Sequence, residues 1–277
     1  MSENKKRRHA ITEKTPLLAI AIWIIAAMLL QSLGGIIVAL TGVFGSNVTN
    51  ASYAGIVIGA VLFLIIMKAW YKPEYKGVLK SELSSRMTFL VTLPIILYSI
   101  VVLVYQLIVY KGYWNPTFTN LLQAMSAGFG EETMLRASMI PIAMGFFKSK
   151  KRVWAVPVIT GILFGLAHLA NIGAGASVFN GVVQAAVTAM NGIYYGVLFV
   201  CTGSVVPGII MHSVYDFICF AGDPTLTNGV MTSVMPVSDV IFNLAIAVFI
   251  LLAGCFILKK TGTADILKIW KKKWSQE

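Results

Sequence analysis

The chain has 277 residues, of which 57% are hydrophobic and only 12% charged, and its mean hydropathy is +0.80. That composition excludes a soluble globular domain and indicates an integral membrane protein. The net charge of +11 would suit a nucleic-acid binder only if the basic residues formed one patch, and instead they punctuate the apolar stretches.

Eight apolar stretches follow one another along the chain, at about 16–41, 53–70, 87–110, 119–147, 153–171, 178–201, 205–221 and 237–258. Each is near the roughly 20 residues that a helix needs to cross the hydrocarbon core. The first follows a run of basic residues but is too long for a signal-peptide core, so it reads as a retained anchor. Basic residues gather before the first stretch (Lys5, Lys6, Arg7, Arg8, Lys14) and around the second and third (Lys68, Lys72, Lys76, Lys80, Arg86). They recur between the fourth and fifth (Lys148, Lys150, Lys151, Arg152) and after the last (Lys259, Lys260, Lys268, Lys271, Lys272, Lys273). Twenty of the 22 lysines and arginines therefore fall on one side of an eight-helix bundle, and the positive-inside rule puts both termini in the cytoplasm.

The expected architecture is all-α: a polytopic bundle of about eight transmembrane helices. Residues 1–15 form a basic cytoplasmic tail, 16–258 a single membrane domain, and 259–277 a second basic tail. The segment 72–86 reads either as an amphipathic stretch on the inner leaflet or as a solvated basic loop. Cys201, Cys219 and Cys255 are odd in number and lack metal-ligand spacing, which makes them small hydrophobes.

Six ionisable residues lie inside the apolar stretches, in three clusters: Glu131, Glu132 and Arg136; His168; and His212 with Asp216. A charged group at the bilayer centre costs about 2.5 to 3.5 kcal/mol, so such residues face one another or a wet cavity and mark function. Glu132 and Arg136 are four apart on one helix face with the acid N-terminal, the better orientation for an ion pair. Glu131 projects about 100° away and stays free, which suits it to general-base work. Phe164 and His168 are four apart, so the Phe164 ring can support the imidazole; alone, His168 reads equally well as a core histidine bonded to a neighbouring helix. The only other histidine outside the clusters, His9, is in the basic tail. His212 and Asp216 also share a face, so Asp216 can orient His212, or the two can point at one substrate atom.

Hydrolysis of a peptide bond in a membrane needs this inventory. Glu131 and His168 would hold and deprotonate a water, while His212 and Asp216 would stabilise the oxyanion of the tetrahedral intermediate. A zinc reading competes, because Glu131, His168 and His212 can supply two nitrogens and a carboxylate to a catalytic divalent metal. Against it, the chain has no HExxH helix and spreads these ligands over three stretches.

The same residues resemble the CPBP family, the CAAX protease and bacteriocin-processing (Abi) group of intramembrane proteases, whose pattern is EExxxR, FxxxH, then HxxxN or HxxxD. Here these read EETMLR at Glu131 to Arg136, FGLAH at Phe164 to His168, and HSVYD at His212 to Asp216, within a core of about 119–221. The resemblance implies cleavage of membrane-associated or lipidated peptides without a covalent nucleophile. It implies that Glu131 and His168 activate water, that His212 and Asp216 bind the oxyanion, and that Glu132 and Arg136 support them. The family has been described both as glutamic and as metal-dependent. Asp216 stands where CAAX-processing relatives can carry Asn, and Leu169-Ala170-Asn171 lacks the extra histidines of some eukaryotic enzymes. The resemblance therefore implies a bacterial cell-membrane protein that handles pheromone, bacteriocin or other membrane peptides.

Two other classes fit the ionisable residues: a proton- or ion-coupled transporter using them as a relay, and a non-catalytic bacteriocin immunity or scaffold protein. Geometry discriminates, since a protease needs Glu131, His168 and His212 at one place and a relay spreads them through the membrane. On ideal straight helices Glu131 lies mid-span, His168 near the outer end and His212 nearer the inner end. Convergence therefore requires kinks, offset helices or shifted boundaries.

Overall fold

The computed structural model describes residues 10–227 and 229–276; Lys5 to Arg8 and His9 lie outside them. The chain is a helical bundle, as the patterning requires, because an apolar chain in lipid must satisfy its backbone polar groups internally. Its principal helices are α1 (Pro16–Leu40), α2 (Val48–Trp70), α3 (Ser85–Val109), α4 (Phe118–Glu131), α5 (Ser138–Phe146), α6 (Arg152–Ala167), α7 (Val178–Thr202), α8 (Val206–Gly222), α9 (Val237–Thr261) and α10 (Thr263–Lys273). Two short antiparallel strands, β1 (Leu226–Thr227) and β2 (Val230–Met231), join α8 to α9.

Among the described residues six helices are long and apolar enough to cross a membrane: α1, α2, α3, Arg152–Gly173, α7 and α9. The other two expected spans are helical but of a different kind. Residues 118–146 run as α4, a six-residue π-helix (Glu132–Ala137) and α5, and α8 has only 17 residues. Between them they carry five of the six intramembrane ionisable residues and pack against other helices of the bundle. Pairing α1 with α2, α4 with α8, α6 with α7, and α7 with α9 builds its interior. Outward-facing Leu29, Ile65, Ile100, Ile159, Leu252 and Phe256 remain exposed, as lipid-facing side chains do.

Close helix approach depends on glycine at two contacts. A Cβ on Gly128 would overlap Ser213 Oγ and approach the Ile209 carbonyl at 2.8 Å, so Gly128 sets the α4–α8 distance. Gly161 and Gly165 do the same for α6 against Ile193 and Ala189 of α7, as their GxxxG spacing suggests.

The lysine-rich end is folded. Segment 72–84 is fastened to the bundle: Val78 is buried, its carbonyl accepts from Val205 N (2.9 Å), and Lys76 N donates to the Lys273 carbonyl (2.9 Å). The segment after 258 is more than a tail. It continues α9 and forms α10, whose Ile266 and Trp270 are buried, with Trp270 Nε1 donating to the Val200 carbonyl. Glu82 lies 2.5 Å from Lys272 and 3.3 Å from the buried Lys273.

Candidate functional site

The π-helix is the local event that shapes the site. Pro141 has no N–H to bond the carbonyl of Ala137, where the π stretch ends. At its start, Gln31 Nε2 of α1 donates to the Gly130 carbonyl (3.0 Å) and to Thr133 Oγ1 (3.2 Å), while Ser138 Oγ donates to the Thr133 carbonyl (3.0 Å). Single π turns of this kind concentrate at functional sites. Here the turn directly follows Glu131 and contains Glu132 and Arg136.

The expected ion pair is present: Arg136 Nη1 lies 3.0 Å from Glu132 Oε1, with both side chains buried. The guanidinium also sits 4.1 Å above the Phe164 ring, so Phe164 supports a cation as well as the histidine. Its nitrogens make no well-aligned hydrogen bond, so the contact with Glu132 is mainly coulombic. A Cβ on Gly192 would come within 2.7 Å of Arg136 Nη2, and glycine there leaves the guanidinium its room.

His212 is the centre of the cluster. Its Nδ1 lies 3.1 Å from Glu132 Oε1, and its Nε2 lies 3.5 Å from Glu131 Oε2 and 3.6 Å from Asp216 Oδ2. The short contact that orients the ring is therefore with Glu132, which joins the support pair to the site; the distances to Glu131 and Asp216 are too long for good hydrogen bonds. Tyr195 of α7 stacks on His212, with centroids 5.2 Å apart and planes at 16°. Phe164 meets both His212 and His168 edge-on.

His168 follows α6, and its Nδ1 bonds the Phe164 carbonyl at 2.9 Å. A carbonyl can only accept, so Nδ1 carries the proton and Nε2 offers its lone pair in the neutral ring. His168 and Glu131 are not in contact with each other, but both line one cavity of about 600 Å³ with His212, Asp216 and Tyr195.

The depth mismatch disappears because of offset helix ends. Glu131 is 15 residues from the end of α5 and His168 is 16 from the start of α6, so the two rise about 22 and 24 Å from one short turn. The start of α8 is recessed: Thr202, Ser204 and Val205 are buried beneath 78–82, with Ser204 Oγ bonded to the Leu79 carbonyl and Glu82 N to the Thr202 carbonyl. His212, near the start of its helix, thereby meets Glu131 at 3.5 Å and shares one cavity with His168.

Among the described residues no group of three or more His, Cys, Asp and Glu side chains is arranged to hold a metal ion. Each candidate ligand histidine keeps one ring nitrogen on a protein acceptor, His212 Nδ1 on Glu132 and His168 Nδ1 on the Phe164 carbonyl, and the structure brings Glu131 and His212, but not His168, into contact.

Several cavity residues escape a search confined to charged groups. Tyr195 Oη, Asn191 Oδ1 and Gln106 Oε1 are buried without a hydrogen-bond partner, and all three residues line the cavity. Their sequence signal is weak but real: Gln106 and Asn191 are amides in apolar helices.

The family model of type II CAAX prenyl endopeptidases, Rce1-like, matches residues 112–218. That segment contains all three motifs and agrees with the resemblance to CPBP intramembrane proteases. Comparison with curated proteins and with solved structures gives no match.

Proposed function

We propose that the chain is an intramembrane endopeptidase that cleaves membrane-associated peptides, with the single membrane domain crossing the bilayer eight times and both termini cytoplasmic. The observation that carries the reading is convergence: Glu131 and Asp216 flank one nitrogen of His212 within 3.6 Å, and His168 faces the same cavity. A proton or ion relay would string these groups through the membrane; their clustering favours chemistry at one point.

In the proposed reaction Glu131 and the free Nε2 of His168 hold a water and take its proton as the oxygen attacks the scissile carbonyl. The carbonyl oxygen becomes negative and accepts a hydrogen bond from His212 Nε2. Because Nδ1–H is already donated to Glu132, Nε2 can donate only in the imidazolium, for which Glu131 and Asp216 are adjacent counter-charges. Asp216 acts by holding this charge. Collapse of the intermediate passes the water-derived proton to the leaving amine, so atoms and charge balance without a covalent enzyme intermediate. Glu132 and Arg136 anchor the ring.

The test is cleavage of a membrane peptide by protein reconstituted in bilayers. Glu131→Ala and His168→Ala should each abolish turnover while the protein stays folded. Parental cleavage by either variant would remove the assignment.

A further inference from the structure

We infer that the cavity is entered from the membrane face opposite the lysine-rich one, and that it admits a cationic peptide segment from that side. The inference rests on the peptidase reading of the same cavity and adds the side of entry and the charge of the substrate.

The lining defines the direction. From Glu131 and His212 the cavity runs along the final turns of α3, α6 and α8, the opening turns of α4, α7 and α9, and the loop carrying β1 and β2. Every one of these helix ends lies away from 72–86, 148–152 and 259–273, where the lysines and arginines of the described loops are concentrated. Lys111 is the exception, and neither it nor any other lysine or arginine lines the cavity. The basic face is cytoplasmic by the positive-inside rule, so the open end is the outer one.

The lining also carries a sign. Glu131 and Asp216 lie at its depth, and Asp223 and Asp239 stand toward its mouth. Asp239 accepts from Tyr105 Oη (2.7 Å) and Asp223 from Thr225 (2.8 Å), so both carboxylates are held in place by neutral donors. No lysine or arginine among the described residues forms an ion pair with either one.

Independently of these acids, the carbonyl oxygens of Gln106 and Asn191, on side chains only 6% and 4% exposed, lack donors. Buried acceptors without donors are costly, and a ligand that brings N–H groups relieves them. Four carboxylates against the single imidazolium of His212, with two orphaned acceptors and no lysine or arginine, leave Asp223 and Asp239 to receive a donor-rich, positively charged chain. An extended peptide with lysine or arginine supplies both kinds of donor; an acidic peptide meets repulsion along the whole path.

The experiment has two arms, both on the full chain in sealed, right-side-out membranes or bilayers. With Cys201, Cys219 and Cys255 replaced by serine, Thr232→Cys beside the mouth and Ser149→Cys between α5 and α6 are treated with a membrane-impermeant maleimide. Labelling of Thr232→Cys from outside, with Ser149→Cys labelled only after permeabilisation, is expected. The reverse pattern overturns the side of entry.

In the second arm, apolar peptides of one sequence bearing two lysines, two glutamates or neither are offered to the parent, and their binding is measured on Glu131→Gln. The lysine peptide should bind at least tenfold tighter than the glutamate peptide, and Asp223→Asn with Asp239→Asn should erase that ratio. Equal binding of all peptides, no binding, or a preference that survives both substitutions would overturn the charge assignment. Cleavage without charge preference leaves the peptidase reading standing and removes this inference. Charge-selective binding with no cleavage does the opposite.

Discussion

The adjacent glutamates make the sharpest test of the site, because the structure gives them opposite energetic roles. Glu132 is 1% exposed, lies 3.0 Å from fully buried Arg136 and bonds His212 at 3.1 Å. Glu132→Ala strands a buried guanidinium, a loss of about 3 to 5 kcal/mol. Arg136→Ala breaks the same pair and the stack on Phe164 but leaves Glu132 its bond to His212, so its loss should be smaller, about 2 to 3 kcal/mol. With both replaced, neither charge is stranded, and the double variant should be about 2 kcal/mol or more better than additivity. Glu131 has a third of its side chain open to the cavity and no ion pair or hydrogen bond closer than its 3.5 Å approach to His212, so Glu131→Ala should change stability by less than about 1 kcal/mol while removing activity. Unfolding by a denaturing detergent titrated into mild micelles, followed by circular dichroism, measures all four variants. Additive losses at Glu132 and Arg136, or equal losses at Glu131 and Glu132, would refute this division of labour.

Tyr195→Phe keeps the ring on His212 and deletes only an unpaired buried hydroxyl. It should be at least as stable as the parent yet about tenfold slower in turnover, as loss of one substrate hydrogen bond implies, and unchanged turnover in steady-state kinetics would deny the hydroxyl a role. Gly128→Ala inserts a Cβ where Ser213 Oγ and the Ile209 carbonyl stand, one turn before Glu131. Separation of α4 from α8 should cost about 1 to 3 kcal/mol and at least tenfold in turnover, and a variant with parental melting and activity would show the contact to be slack. Burial pushes the Glu82 carboxyl up, but Lys272 and Lys273 together hold it below the usual value of 4.5. A depressed folded value means stabilisation present above pH 4.5 and lost as pH falls through the folded value. Parent and Glu82→Gln should therefore differ most near pH 7 and converge as the pH falls through the depressed folded value in pH-dependent unfolding; a constant difference would contradict the pairing.

The helices and their order were legible because an apolar chain in lipid has few ways to satisfy its backbone, and runs such as 237–258 admit only a helix. The Glu132–Arg136 pair was legible because a spacing of four is a local property of helical backbone. Two expected spans took another form, since residues 118–146 contain a π stretch that depends on Pro141 and on Gln31 reaching in from α1. The GxxxG contact of α6 with α7 also followed from spacing, but which neighbour it met did not.

What the sequence by itself determined is therefore what depends on neighbours within a turn or two: a helical membrane protein, three charged clusters, and the pairing inside the first. Tertiary packing decided that His212 is oriented by Glu132, 80 residues away, and that Tyr195 stacks on it. It also gave the cavity its course toward the end of the bundle away from 72–86, 148–152 and 259–273, because interhelical distances and recessed helix ends are set by side chains meeting across the bundle, where periodicity along one strand of chain carries no information.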